Sequence, residues 1–171
     1  MRSARMVAGS LLAAMSSLGA TPPSEADDRS MREHEMRVAK IAAGFVGLAG
    51  SDDNAVALVE ALRAGAAVRL FYPGATPDDV PQEVAIEPPT DPMEWHDVRM
   101  TLMLARDALM GFGVLRPSGE QLHAVLLGGE AAVPGGRIVA FRGVLRMRAE
   151  GFHWGRVASE RFQRPVVSRI E

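Results

Sequence analysis

The chain contains no cysteine among its 171 residues. Without thiols it can form no disulfide, carry no cysteine-linked lipid and use no thiolate chemistry, so its stability must come from a hydrophobic core. The sequence also has no G-x-S-x-G elbow, no phosphate-binding P-loop and no H-E-x-x-H helix. We therefore expect a protein that is not an enzyme and that uses no cofactor. Catalytic groups that only the fold brings together remain the open alternative.

The first 26 residues have the pattern of a secretory signal peptide. Arg2 and Arg5 precede an uncharged, largely apolar stretch over residues 6–20. A basic start, a short apolar run and small residues mark an exported protein, and the run is too short to stay behind as a membrane anchor. We expect cleavage after Ala20 or Ala26 and a periplasmic or secreted location. A frayed N-terminal helix or a mis-assigned start codon is the alternative.

The composition of the whole chain indicates one globular domain, over residues 27–171 after cleavage. Hydrophobic residues make up 47 % and charged residues 23 %, and the formal net charge is −2. These values are typical of a folded domain and not of a fibrous or unfolded chain. Because the chain is net acidic, it has no general attraction to nucleic acid or to anionic lipid. We expect an unknown protein or small molecule as the partner, no nucleic acid and no membrane anchor.

Hydrophobic spacing predicts a mainly α fold with one small β-hairpin. A first helix is expected from Met31 to about Leu48, and a second follows with Ser51 as its N-cap and Gly65 just past its end. Alternating apolar residues then predict a hairpin over residues 67–72 and 83–87. The two helices should pack together and support the hairpin, because an isolated hairpin is marginal in water.

Two further helices have strong start signals. Asp91-Pro92-Met93-Glu94 predicts a capping box and a helix that runs to about Met110. Ser118 and Gln121 repeat the capping pattern for a shorter helix, which Gly128-Gly129 ends. Residues 137–141 after it are either a short strand or an extended linker.

The C-terminal segment has the outline of a helix-turn-helix. From Gly143 to Ile170 the pattern predicts a short helix, a tight turn at Gly151, a second helix and a third short segment. The apolar residues of this unit predict a small three-helix core anchored by its tryptophan: Val144, Met147, Trp154, Val157 and Ala158. If the chain were not exported, this outline would favour a DNA-binding protein.

Charge is unevenly distributed along the chain. Residues 73–97 hold seven acids and no Lys or Arg, whereas residues 137–171 hold eight arginines. In a DNA-binding protein Arg156, Arg161 and Arg164 would contact phosphates or bases. In an exported protein we expect these three candidate binding residues to pair with the acidic region or with an acidic partner, unless the two segments simply solvate two faces.

The predicted long helix carries methionine and histidine on one side. At about 100° per residue, Met93, His96, Met100 and Met103 fall opposite its main apolar face. Thioether and imidazole are ligands that Cu(I) prefers, so these residues are a candidate metal site. The alternative is a second packing face, because methionine is an adaptable core residue.

Several of these motifs together resemble a family of small exported proteobacterial proteins of unknown function. The resemblance rests on Pro92-Met93, on residues 117–122 leading to Gly128-Gly129, and on an intact G-V-L-x-M-R-x-x-G-x-x-W-G pattern from Gly143 to Gly155. It implies export and a shared fold but no activity. It also weakens the copper hypothesis, because His96 is not part of that family's pattern. The sequence thus predicts an exported, non-enzymatic structural or binding protein.

Overall fold

The computed structural model describes residues 25–73, 80–160 and 167–169. Within them the chain forms a mostly helical single domain, as predicted, with two small antiparallel sheets. The helices are α1 Glu25–Ala42, α2 Val46–Ala49, α3 Asp52–Ala64, α4 Trp95–Met110, α5 Gly119–Leu127, α6 Val144–Ala149 and α7 Trp154–Glu160. The strands are β1 Val68–Tyr72, β2 Gln82–Ile86, β3 Gly129–Val133, β4 Arg137–Phe141 and β5 Val167–Arg169.

The first helix is displaced from its predicted bounds at both ends. It begins at Glu25 and stops at Ala42, where the backbone N–H groups of Gly44 and Phe45 bond three residues back instead of four. This tightening ends the helix, and the short α2 follows as a separate turn. Residues 1–24 of the predicted signal peptide lie outside the described residues. The predicted cleavage after Ala26 would cut the first turn of α1, whereas cleavage after Ala20 would leave α1 whole.

Helix α3 forms as predicted. The Ser51 hydroxyl accepts a hydrogen bond from the Asn54 backbone N–H at 3.1 Å, which caps the helix start. Gly65 ends the helix in the left-handed region with φ 63°. Helix α3 packs against α1, α4 and the first strand, so it lies at the centre of the N-terminal half.

The predicted β-hairpin is present as β1 and β2, which pair antiparallel with Leu70 opposite Val84. Leu70, Tyr72, Val84 and Ile86 are buried on one face, and the alternating residues between them face solvent. Helix α5 packs under the buried face. The alternation seen in the sequence therefore correctly assigned the two faces of the sheet.

The capping box predicted at Asp91-Pro92-Met93-Glu94 is wrong. Helix α4 begins at Trp95, and Glu94 precedes it in extended backbone without a side-chain cap. The cause is tertiary: the Met93 N–H donates to the Leu62 carbonyl at 3.2 Å, and the Met93 carbonyl accepts from Arg63 at 2.9 Å. These bonds hold the segment against the end of α3 before the helix can start. The predicted end at Met110 is correct.

Helix α5 has the predicted capping box, with Ser118 and Gln121 bonded reciprocally. The hairpin that follows it, β3 with β4, was only half predicted because β3 has the sequence Gly-Glu-Ala-Ala-Val, with few strand-forming residues. Its two ends are held close together by glycines. A Cβ on Gly143 would lie 2.4 Å from the Leu127 carbonyl carbon, and both Gly128 and Gly143 have positive φ.

The C-terminal unit differs from the predicted three helices. Helices α6 and α7 form, with Gly151 between them at φ 87°, but the third segment is the strand β5, which pairs antiparallel with β4. Backbone pairing to an existing strand replaces the third helix, so the unit is a helix-turn-helix in its first two elements only. Val144, Met147 and Val157 are buried as predicted, whereas Trp154 and Ala158 are half-buried.

The chain has no helix, within residues 25–73, 80–160 and 167–169, that is long and apolar enough to cross a bilayer.

Candidate functional site

The outer edge of β1 is covered at Phe71 by a buried asparagine. The Asn54 side chain is 5 % exposed, accepts a hydrogen bond from the Phe71 N–H at 3.0 Å and donates one to the Phe71 carbonyl at 2.9 Å. A third bond runs from its amide nitrogen to the Ala49 carbonyl at 3.0 Å. The amide thus takes the place of a neighbouring strand at Phe71 and covers this position of the β1 edge.

The outer edge of β2 is not closed in this way. Phe71 bonds Asn54 through its backbone N–H and C=O, so these groups point away from β2. Glu83 lies opposite Phe71, and Ala85 lies two residues further along β2. The backbone N–H and C=O groups of both must therefore point away from β1. Neither has a backbone hydrogen bond on the outward side to any other residue that the structure describes. The β2 edge therefore offers unpaired donors and acceptors.

A groove of about 560 Å³ lies beside this edge. Its walls come from the end of the second strand with the residues after it, and from two helices: Ala85, Glu87 and Pro89, then His123 and Leu127, then Arg146, Ala149 and the adjoining Glu150. Helix α5 packs on the buried face of the sheet, whereas the Ala85 side chain is on the exposed face. One groove can contact both only at the rim of the sheet, so it lies beside the C-terminal end of β2, at Ala85 and the residues that follow the strand.

The groove is mixed in chemistry. Leu127, Ala149 and Pro89 supply apolar surface, and His123 and Arg146 supply nitrogen donors on the helix side. Glu87 stands on the strand side. No side-chain hydrogen bond or ion pair links Glu87 to another residue within the described ranges. Such a surface suits an amphipathic ligand.

A smaller cavity of about 320 Å³ shares Pro89 and Ala149 with the groove and extends towards α4. The Trp154 indole N–H donates to the Asp97 carboxylate at 2.7 Å, and the Arg148 guanidinium lies 4.3 Å from the indole ring centre. The half-buried Trp154 therefore fastens α7 to α4 through a polar bond as well as by packing. In this contact the tryptophan connects the C-terminal unit with the acidic region.

The predicted copper residues are not all on one helix. Met93 precedes α4, is 6 % exposed, and its thioether accepts a hydrogen bond from the Thr101 hydroxyl at 3.7 Å. His96 is exposed, whereas Met100 and Met103 are half-buried and pack against the core. This arrangement matches the packing alternative more closely, and the copper site stays a prediction. No group of three or more His, Asp or Glu side chains placed to hold a metal occurs in the part of the chain that the structure describes.

The three arginines predicted to bind acidic groups have different outcomes. Arg156 pairs with Glu160 one helical turn away at 2.8 Å, and its guanidinium lies over the Phe152 ring. Glu160 also pairs with Arg142. The observed partner of Arg156 is thus in its own segment and not in residues 73–97. Arg161 and Arg164 lie outside the described residues.

Two arginines and a histidine surround Trp95, the first residue of α4. Arg63 and Arg37 lie 5.3 Å and 5.7 Å from the Trp95 ring centre, and the His34 ring lies 5.2 Å away. These contacts join α1, α3 and α4. Cations on an indole face are attracted by its quadrupole, so this cluster has a structural explanation.

Tyr72 contributes a buried phenol beneath the sheet. It is 7 % exposed, its hydroxyl has no hydrogen-bond partner among the described residues, and burial raises the pKa of Tyr72 to about 12. Gly50 and Gly119 contact the two edges of its ring, and a Cβ on either would come within 2.9 Å of it. The phenol is therefore neutral at physiological pH and packs as a core residue.

Sequence reasoning missed the groove, although one signal for it was visible. Glu83, Ala85 and Glu87 alternate with buried residues, which places them on an exposed face of a strand. What the sequence does not show is which edge of the hairpin is covered by a side chain, because that depends on Asn54, which precedes β1 by more than a dozen residues.

Comparisons with protein-family models, with curated proteins and with solved structures found no match.

Proposed function

We propose that the protein is an exported, non-enzymatic binding protein and that the groove between β2, α5 and α6 is its ligand site. The observation that carries this proposal is that a partly apolar groove of about 560 Å³ adjoins a strand edge with unpaired backbone groups. Ligand sites are typically concave and mostly apolar, with a few polar groups that fix orientation. Here Glu87, Arg146 and His123 supply those groups.

Export is part of the same proposal and is supported by the N-terminal pattern of Arg2, Arg5 and the apolar run. The absence of sequence-local catalytic motifs supports a binding role over an enzymatic one. Kinship with small exported proteobacterial proteins of unknown function is proposed on the C-terminal pattern from Gly143 to Gly155. It adds no ligand to the proposal.

The experiment is a ligand screen by NMR on the isotope-labelled full chain, with libraries of short peptides and of small amphipathic molecules. We expect shifts concentrated at Ala85, His123 and Ala149. The variant Ala149→Trp should abolish them, because Ala149 is exposed and a large ring there fills the groove. The matched control is Ala140→Trp, an exposed alanine outside the groove, which should bind as the wild type does. Shifts that survive Ala149→Trp would refute the site.

A further inference from the structure

We infer that the ligand of the groove is an extended peptide that adds to β2 as an antiparallel third strand, with a Lys or Arg opposite Glu87 and apolar residues in the groove. This inference rests on the proposed function and specifies its ligand class and its mode of binding. Strand addition is a general way of recognising peptides, in which main-chain bonds give affinity and side-chain pockets give specificity.

The register of the hairpin fixes which backbone groups are available. Leu70 and Val84 form a hydrogen-bonded pair, as do the pairs two positions on either side, because Phe71 uses its own groups on Asn54. Glu83 and Ala85 therefore present N–H and C=O outward. An added strand would bond them as β1 bonds their neighbours, without breaking any bond between residues that the structure describes.

Side-chain amides cover backbone groups at the edges of two other strands, β1 and β3. Asn54 closes β1 at Phe71, and the Gln121 amide donates to the Ala132 carbonyl of β3 at 2.6 Å. Unpaired edges attract other chains, and proteins commonly block them. Two side-chain amides are thus placed on edges of this molecule, while the β2 edge beside the groove has no such cover among the described residues. The β2 edge also has a groove beside it, at Ala85, so β2 combines unpaired backbone groups with a surface for the side chains of an added strand.

Side-chain alternation then gives the chemistry of the peptide. Residues of an added strand opposite Glu83, Ala85 and Glu87 would lie on the exposed face of the sheet. The residues between them would lie on the other face, towards α5 and the apolar part of the groove. Glu83 already pairs with Arg69 at 3.0 Å. Glu87 has no such partner within the described ranges, so a basic residue opposite it is favoured. Leu127, Pro89 and Ala149 favour apolar residues at the alternating positions.

The same charges argue against a second copy of this chain as the occupant. Two β2 strands paired antiparallel about Ala85 would place Glu83 of each copy opposite Glu87 of the other. Like charges directly opposite each other destabilise an antiparallel pair. A homodimer through β2 would contain this repulsion twice, whereas a basic peptide would place an opposite charge against Glu87.

The test uses acetylated and amidated peptides of the pattern Lys-Val-Thr-Val-Lys, titrated by NMR into the full chain. In an antiparallel pairing centred on Ala85, the first lysine faces Glu87. Replacing it by glutamate, in Glu-Val-Thr-Val-Lys, should weaken binding about fivefold, because one cross-strand charge pair changes from attraction to repulsion. The variant Glu87→Lys should reverse this preference. An unchanged preference in Glu87→Lys would overturn the charge assignment.

Main-chain pairing is tested separately from groove filling. Ala85→Pro removes an N–H that points outward but no hydrogen bond between β1 and β2, so peptide binding should be lost while the fold persists. The control Ala85→Ser keeps the N–H and should bind the peptide normally. If the proline variant does not fold, methylated peptides test the same bond. N-methylation of the peptide's central threonine, whose N–H faces Ala85, should abolish binding, and N-methylation of the following valine, whose N–H faces away, should not.

The outcomes separate this inference from the proposed function. Binding that Ala149→Trp blocks but that tolerates both Ala85→Pro and the methylated threonine would keep the groove as the ligand site and refute strand addition. No saturable binding of either peptide at millimolar concentration would overturn the inference as well. Small-molecule binding blocked by Ala149→Trp would still support the groove in that case.

Discussion

Replacing Asn54 by alanine tests the most consequential polar contact in the fold. The asparagine is 5 % exposed and makes three side-chain hydrogen bonds, two to Phe71 and one to Ala49. At about 1 kcal/mol each, their loss should lower the free energy of unfolding by about 3 kcal/mol. For a domain of this size that corresponds to roughly 6–12 °C in melting temperature.

The assay is urea unfolding followed by circular dichroism, with Val56→Ala on the exposed side of the same helix as the control. The control should change stability by less than about 0.5 kcal/mol. Asn54→Asp should destabilise at least as much as alanine, because it keeps the acceptor for the Phe71 N–H but turns a donor into an acceptor against two carbonyls. A free energy of unfolding for Asn54→Ala within about 0.5 kcal/mol of the wild type would refute the role of Asn54 in covering the β1 edge at Phe71.

Three further predictions concern other parts of the molecule. Tyr72 is the only tyrosine, so ultraviolet titration should give one phenolate transition, at a pKa of about 12 against the ordinary tyrosine value of 10.0. Because the pKa of Tyr72 is higher in the folded than in the unfolded protein, the contribution of the neutral phenol to stability is full below the unfolded pKa and declines as pH rises from the unfolded to the folded pKa. Tyr72→Phe should remove this decline in stability. A phenolate transition at 10.0 would refute burial of the phenol. Gly143→Ala should destabilise the protein by at least about 2 kcal/mol, through both positive φ and the close approach to Leu127, whereas Gly113→Ala, with positive φ and open space, should cost only about 1 kcal/mol. Equal unfolding midpoints for Gly143→Ala and Gly113→Ala would show that the close approach to Leu127 adds nothing to the cost. Mass spectrometry of protein from its native host should find a mature N-terminus at Thr21, which leaves α1 whole, and an intact Met1 in the cytosolic fraction would contradict export.

Local signals in the sequence were read correctly where they were strong and self-contained. Ser51 with Gly65, the Ser118–Gln121 capping box and the alternation around Leu70 all predicted elements that the structure contains. Each depends on residues a few positions apart, so neighbouring chain segments do not change its outcome.

Signals failed where distant backbone groups competed for the same atoms. The capping box before Trp95 was lost because Leu62 and Arg63 bond to Met93. The third C-terminal helix was replaced by a strand because β4 offered a pairing edge. The groove beside β2 depends in the same way on Asn54 and on where α5 and α6 pack, none of which a local pattern reports.

Amide hydrogen exchange along β2 tests the open edge most directly. In the free protein, the Val84 and Ile86 amides should be protected by their bonds to β1, while those of Glu83 and Ala85 exchange at rates near those of exposed backbone. Addition of the Lys-Val-Thr-Val-Lys peptide should then slow the Ala85 amide selectively. Protection of Ala85 equal to that of Val84 in the free protein would show that the edge is already covered and would contradict the proposed site.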